Sequence, residues 1–158
     1  MSVLVPGASG GLLDAIATPI DAAAWSHVRL MPPAALKVLL VEDEVLVGLY
    51  TCDLLRGLGA EKVIFANTIA ESIRHLENGL FDVVLIDALL QGVPAASVVE
   101  AVSARGIPFG FVTGFSDLSV LPEHMRQYAR IEKPISEHKL IAFLAEVLGQ
   151  KDGKLANT

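Results

Sequence analysis

The chain has 158 residues, 53% of them apolar and 19% charged. That length fits one domain with short additional segments, and a chain this apolar can bury a sizeable core, which excludes disorder throughout. The formal net charge of −6, from 12 Lys and Arg against 18 Asp and Glu, argues against a non-specific binder of nucleic acid or of anionic membranes, since both need a basic face.

Cys52 is the single cysteine. It excludes a disulfide framework and a Cys-based zinc site, and it fits a reducing, cytoplasmic compartment. No apolar run reaches the ~18 residues needed to cross a bilayer. The N-terminus lacks the basic region of a secretory signal.

Residues 1–36 differ from the rest. They hold four of the eight prolines (Pro6, Pro19, Pro32, Pro33) and only three charges, Asp14, Asp21 and Arg29. They show no sustained period of 2 or 3.6, so a disordered extension is expected. Val3–Gly11 looks like a strand followed by a glycine loop. A dinucleotide-binding turn also needs a third glycine and a second strand, but position 13 is Leu and no such strand follows.

From Lys37 the pattern is regular. KVLLV (37–41) predicts a strand covered on both faces, and 45–58 a helix with Val47, Thr51, Leu54, Leu55 and Leu58 inward and Gly59 as its stop. KVIFA (62–66) is the second strand. Thr68-Ile69-Ala70-Glu71 reads as a capping box opening a helix that ends near Gly79. DVVLID (82–87) is the third strand, 95–105 the third helix and IPFGFV (107–112) the fourth strand. A helix is expected over 116–127, although Pro122 interrupts it, and ARIE (129–132) is a short fifth strand. Ser136 can cap a last helix carrying Leu140, Ile141, Phe143, Leu144, Val147 and Leu148, and 150–158 read as a polar tail.

Five strands alternating with helices predict an α/β fold, a five-stranded parallel sheet with helices on both faces. In such folds ligands bind outside the carboxyl ends of the strands. Strand one is followed there by Glu42, Asp43 and Glu44. Strand three ends at Asp87, strand four at Thr113-Gly114 and strand five at Glu132-Lys133-Pro134. Two carboxylates ~4 Å apart repel by roughly 4 kcal/mol at an effective dielectric near 20, so a cluster of Glu42, Asp43 and Asp87 needs a cation or a proton. All-oxygen ligands suit Mg²⁺. A metal, a carboxylate nucleophile and a lysine together form a device for phosphoryl transfer.

Lys37-Val38-Leu39-Leu40-Val41-Glu42-Asp43-Glu44, Val83-Val84-Leu85-Ile86-Asp87, Thr113 and Lys133-Pro134 resemble the receiver domain of two-component response regulators, over about residues 37–149. The resemblance implies a flavodoxin-like (βα)5 fold, with Asp87 as phosphoacceptor. It implies a Mg²⁺ site in which Asp43 binds directly, Glu42 acts mainly through water and the Leu89 backbone carbonyl is a further ligand. Thr113 would hydrogen-bond the phosphoryl group and Lys133 would pair with it. The implied partners are a histidine kinase or phosphotransfer protein and a downstream protein, with no nucleic acid and no membrane. Such a domain is a switch that catalyses only its own phosphorylation and dephosphorylation. With about ten residues after the last helix, the reading is a stand-alone receiver signalling by protein contact or draining a relay.

Pro108-Phe109-Gly110-Phe111-Val112-Thr113-Gly114-Phe115 resembles the pattern of the "FAT GUY" receiver subfamily, with Val112 in place of Ala. Arg130 stands three positions before the lysine, where many receivers have an aromatic switch residue. The usual switching route is therefore absent, and Ser116–Tyr128 is expected to become ordered on phosphorylation. Two rival readings are a pseudo-receiver that only binds partners and a Mg²⁺-dependent phosphatase of haloacid-dehalogenase type. The first is opposed by Asp43, Asp87, Thr113 and Lys133. The second wants D-x-D directly after strand one, where this chain has Val41-Glu42-Asp43-Glu44. His27, His75, His124 and His138 have no metal spacing, and Cys52 reads as core filler.

Overall fold

A strand covered on both faces needs apolar residues at every position, because successive side chains point to opposite sides. Val83–Ile86 meets that demand, and the strand Val83–Asp87 is buried throughout. It is the central strand of the domain. The structure is a computed structural model and describes residues 35–114, 119 and 121–153, with side chains through 149.

The strands are β1 (Lys37–Val41), β2 (Lys62–Ala66), β3 (Val83–Asp87), β4 (Leu89–Leu90), β5 (Val93–Pro94), β6 (Phe109–Thr113) and β7 (Arg130–Glu132). The helices are α1 (Val45–Gly57), α2 (Ile69–Asn78), α3 (Ala96–Ala104) and α4 (Glu137–Gly153). The main sheet has the order β2-β1-β3-β6-β7, with every neighbouring pair parallel. This is the expected α/β, flavodoxin-like sheet. Alternation along the strands divides the core in two. Leu39, Val84, Ile86, Phe109 and Phe111 pack with α2 and α3 on one face. Val38, Leu40, Leu85, Val112 and Ile131 pack with α1 and α4 on the other.

The extension expected over 1–36 lies outside the described residues, except for its last two. Leu36 is 4% exposed and belongs to the core, and its carbonyl accepts from Glu61 N and Lys62 N. The ordered domain therefore begins before Lys37. At the other end α4 continues to Gly153, so the first part of the expected tail is helical.

α1 buries Thr51 and Leu55 of the expected stripe, with Leu54 and Leu58 packed half-buried beside them, and extends that face to Gly48 and Cys52. Gly48, Thr51, Cys52 and Leu55 are buried, at i, i+3, i+4 and i+7. The reason lies on β2: a Cβ at Gly48 would overlap the ring of Phe65. The ring fills the place of the missing side chain and draws this stripe against the sheet. Val45, Leu46, Leu49 and Tyr50 are left outside, with Leu46 83% exposed. Thr68 Oγ1 accepts from Glu71 N at 3.1 Å, as the capping box requires, but Glu71 Oε2 returns to Asn67 N at 3.0 Å rather than to the cap residue itself.

β4 and β5 form an unpredicted antiparallel hairpin. Its turn is Gln91-Gly92, with φ of 52° and 76°, the left-handed pair of a type I′ turn. The strand expected at 107–112 runs instead from Phe109 to Thr113. Gly110 on β6 lets α4 approach closely, since a Cβ there would overlap Phe143 and Val147. Gly110→Val is expected to destabilise the domain by about 1–3 kcal/mol through overpacking. The measurement is a lowered urea midpoint at unchanged slope. An unchanged midpoint would mean that α4 can withdraw without loss.

The helix expected over 116–127 does not form among the described residues. Only a 3₁₀ turn, Glu123–Met125, is present. Pro122 lacks an N–H and disfavours helical backbone before it. Two buried anchors, Leu121 and Met125, plug the sheet face there. Arg126 supplies bonds that a helix would otherwise make, from Nε to Leu121 O at 3.0 Å and from Nη2 to Ser119 O at 3.1 Å. Tyr128 packs on Phe109 at a ring-centroid distance of 4.5 Å, so Phe109 and Phe111 serve the core and present no partner surface.

Candidate functional site

Parallel strands deliver their ends to one edge. β1 runs into Glu42 and Asp43, β3 ends on Asp87, β6 ends on Thr113 and β7 leads to Lys133, where the Lys133–Pro134 bond is cis. Glu42, Asp43 and Asp87 each offer an oxygen, all within 4.8 Å of one another. Thr113 is 3% exposed, and its carbonyl accepts from Lys133 N at 2.8 Å, which ties β6 to the lysine.

Lys133 Nζ lies 2.7 Å from Glu42 Oε2, 2.9 Å from Asp87 Oδ2 and 3.2 Å from Glu44 Oε1. Asp87 Oδ1 accepts from Leu89 N at 3.1 Å, which tethers Leu89 beside the cluster. Asp43 Oδ2 accepts from Gln91 N at 2.8 Å, and Glu42 Oε1 from Glu44 N at 3.1 Å.

Burial pushes the Glu42 carboxyl up to about 7 from 4.5; the hydrogen bond from Lys133 opposes this, and the charge of Asp87 adds to it. For Lys133 burial acts downward, but its hydrogen bonds to Glu42 and Asp87 and their charges outweigh it. The ammonium is held above its usual range. Charge balance therefore decides this edge: one cation faces four acidic side chains.

That imbalance fits a divalent metal. The donors are all oxygen, as Mg²⁺ prefers. Glu42 Oε2 is buried with the Lys133 ammonium 2.7 Å away as its partner, and a carboxylate oxygen has a second lone pair with which to accept. Among the described residues this trio is the one such group, and no histidine joins it. His75 sits 3.7 Å from Glu71 on α2, and His27 lies outside the described residues.

Every site residue expected from the sequence is at this edge. Two features were missed. Glu44 reaches across to Lys133, and the hairpin tip grips Asp43 through the Gln91 N–H. The signal for the first was the third acid of Glu42-Asp43-Glu44, and for the second the Gln91-Gly92 pair. Beside the edge lies a groove of about 510 Å³, lined by Leu46, Val47, Tyr50, Pro134 and Ile135 among others. No helix among the described residues is long and apolar enough to cross a membrane.

No family model matches the sequence, and no curated protein matches it. Solved structures do. The solution structure of SdrG from Sphingomonas melonis Fr1 is 34% identical, with 73% of this chain and 98% of that chain covered at a TM-score of 0.65. The BeF3-activated conformation of SdrG from Pseudomonas melonis Fr1 is 33% identical, covering 71% and 95% at 0.63. A CheY-like response regulator receiver domain protein from Methanospirillum hungatei JF-1 is 26% identical, covering 76% and 99% at 0.64. Sheet order, acidic edge and these likenesses agree: the chain belongs to the CheY-like receiver domains of response regulators.

Proposed function

We propose that the chain is a receiver of the "FAT GUY" type that takes a phosphoryl group on Asp87 from a phosphohistidine of a histidine kinase or phosphotransfer protein. The observation that carries this reading is Lys133 Nζ at 2.9 Å from Asp87 Oδ2, beside the Glu42–Asp43 pair. An oxygen of Asp87 attacks phosphorus, the donor's N–P bond breaks, and the histidine nitrogen keeps the electron pair. Lys133 pairs with the transferred phosphoryl oxygens, and the Thr113 hydroxyl hydrogen-bonds one of them. Mg²⁺ held by Glu42, Asp43, Asp87 and the Leu89 carbonyl would neutralise charge on the group in transfer.

A donor histidine must reach Asp87, so its protein covers the rim of this edge. The rim has the exposed apolar start of α1, Val45, Leu46, Leu49 and Tyr50, which suits a protein partner. The position three before Lys133 is Arg130, which is exposed, so the output uses the segment after Gly114 rather than an aromatic rotamer. Of the expected ordering of Ser116–Tyr128, residues 116–118 and 120 lie outside the described residues, whereas Leu121 and Met125 are already buried and Tyr128 packs on Phe109. The output is protein contact or the draining of a relay, in the cytoplasm, where its kinase would phosphorylate it. The receiver extends beyond the expected 37–149, from Leu36 through the end of α4, and acts on no separate substrate.

Beryllofluoride with Mg²⁺ tests this reading. Amide NMR shifts are expected at Asp87, Ala88, Thr113, Gly114 and Lys133, and hydrogen exchange should slow just after Gly114. The activated form of SdrG, a relative at 33% identity, was obtained with the same analogue. No shift at the acidic edge would overturn the reading.

A further inference from the structure

Lys133 blocks the site it serves. Its ammonium has three N–H donors, and it faces three carboxylate oxygens, from Glu42, Asp87 and Glu44. Two of these belong to the metal trio. A divalent cation entering the cluster takes their charge, and Lys133 must give way. Glu44 is the one partner outside the trio.

Glu44 has no evident duty of its own. It is the N-cap of α1, yet its side chain makes no capping hydrogen bond. Glu is also not among the favoured N-cap residues, whereas Asp is. Its side chain is 64% exposed and reaches a lysine 89 positions away. Its backbone N–H meanwhile holds Glu42 Oε1, so one residue touches both the lysine and a metal carboxylate.

We propose that Glu44 is a positioning residue acting through Lys133: it receives the ammonium when a divalent cation enters the Glu42–Asp43–Asp87 cluster and keeps it within reach of Asp87. This rests on the reading of that trio as a metal site. The contact of Lys133 with Glu44 coexists with its contact with Asp87, so a lysine retained by Glu44 stays beside the atom that would carry the phosphoryl group.

The test is titration of the full chain with MgCl₂, followed by amide NMR, on the wild type, Glu44→Gln and Glu44→Asp. Asp keeps the charge, is one methylene too short for the lysine, and is the better cap. The inference expects both variants to bind Mg²⁺ about two- to five-fold more weakly, the scale of an exposed ion pair. It expects Glu44→Asp to melt no lower than the wild type. The Lys133 side-chain CH₂ signal should move little on Mg²⁺ addition in the wild type and broaden or shift further in both variants. Wild-type affinity in Glu44→Asp with weakening only in Glu44→Gln would show a plain charge effect and overturn the inference, as would wild-type affinity in both. A wild type that binds no Mg²⁺ would overturn the metal reading itself, and the inference with it.

Discussion

Asp87→Asn is expected to take up no phosphoryl group from acetyl phosphate and Mg²⁺, whereas the wild type gains one, seen by intact mass. The amide keeps the shape of the side chain but offers no anionic oxygen to attack phosphorus. Glu42 and Asp43 are the nearest rival acceptors. The Glu42 carboxyl is buried at 1% exposure, with one oxygen held by Glu44 N and the other against Lys133. Asp43 is fixed by the Gln91 N–H and is not the carboxylate under the lysine. An adduct of equal yield on Asp87→Asn would remove Asp87 from its proposed role. The variant should also fold at least as stably without metal, because one of the mutually repelling charges is gone. A lost fold would make the missing adduct meaningless, so the melting curve is measured beside the mass.

The second large effect joins pH and metal. The Glu42 carboxyl sits at about 7 in the folded chain against 4.5 for the free group. Between those values the folded state holds more protons than the unfolded state, so stability falls as pH rises. The contribution is complete below the lower value and lost through the upper one. Its size is at most about 3 kcal/mol, with the hydrogen bond from Lys133 already opposing the rise. The metal-free protein is therefore expected to melt lower at pH 8 than at pH 5.5. Glu42→Gln should flatten that slope. Mg²⁺ at a hundred times its Kd should add roughly 2.7 kcal/mol at the higher pH. It should add much less in Asp43→Ala, which lacks a direct ligand. Equal Mg²⁺ gains in wild type and Asp43→Ala would place the metal elsewhere. A slope unchanged in Glu42→Gln would assign the titration to another group.

Periodicity and end residues carried most of the architecture. The apolar runs at 37–41 and 82–87 are strands as read, because a run of that length with no polar face can be buried only inside a covered sheet, and 62–66 joins them as a half-buried edge strand. Thr68 caps α2 because a hydroxyl one position before the first turn meets Glu71 N whatever surrounds it. Asp43, Asp87, Thr113 and Lys133 gather because parallel strands point their carboxyl ends to one edge. These are local properties plus one rule of topology, and a chain states them residue by residue.

What packing decides stood outside that reading. The inward face of α1 widens to include Gly48, because Phe65 on the neighbouring strand fills the space a side chain there would take. The stretch 116–127 has helix formers, but Pro122 and the buried Leu121 and Met125 make a plug cheaper than a helix among the described residues. The bond from Gln91 N to Asp43 joins positions 48 apart, and that from Lys133 to Glu44 positions 89 apart. By itself the sequence determined the order of elements, the buried central strand and the edge at which the acids and the lysine meet, because these depend on side-chain period and on parallel topology. Only the tertiary structure decided that α1 buries Gly48 against Phe65, that among the described residues no helix replaces the plug after β6, and which carboxylates share the ammonium, because each depends on the distance and shape of residues far away in the chain.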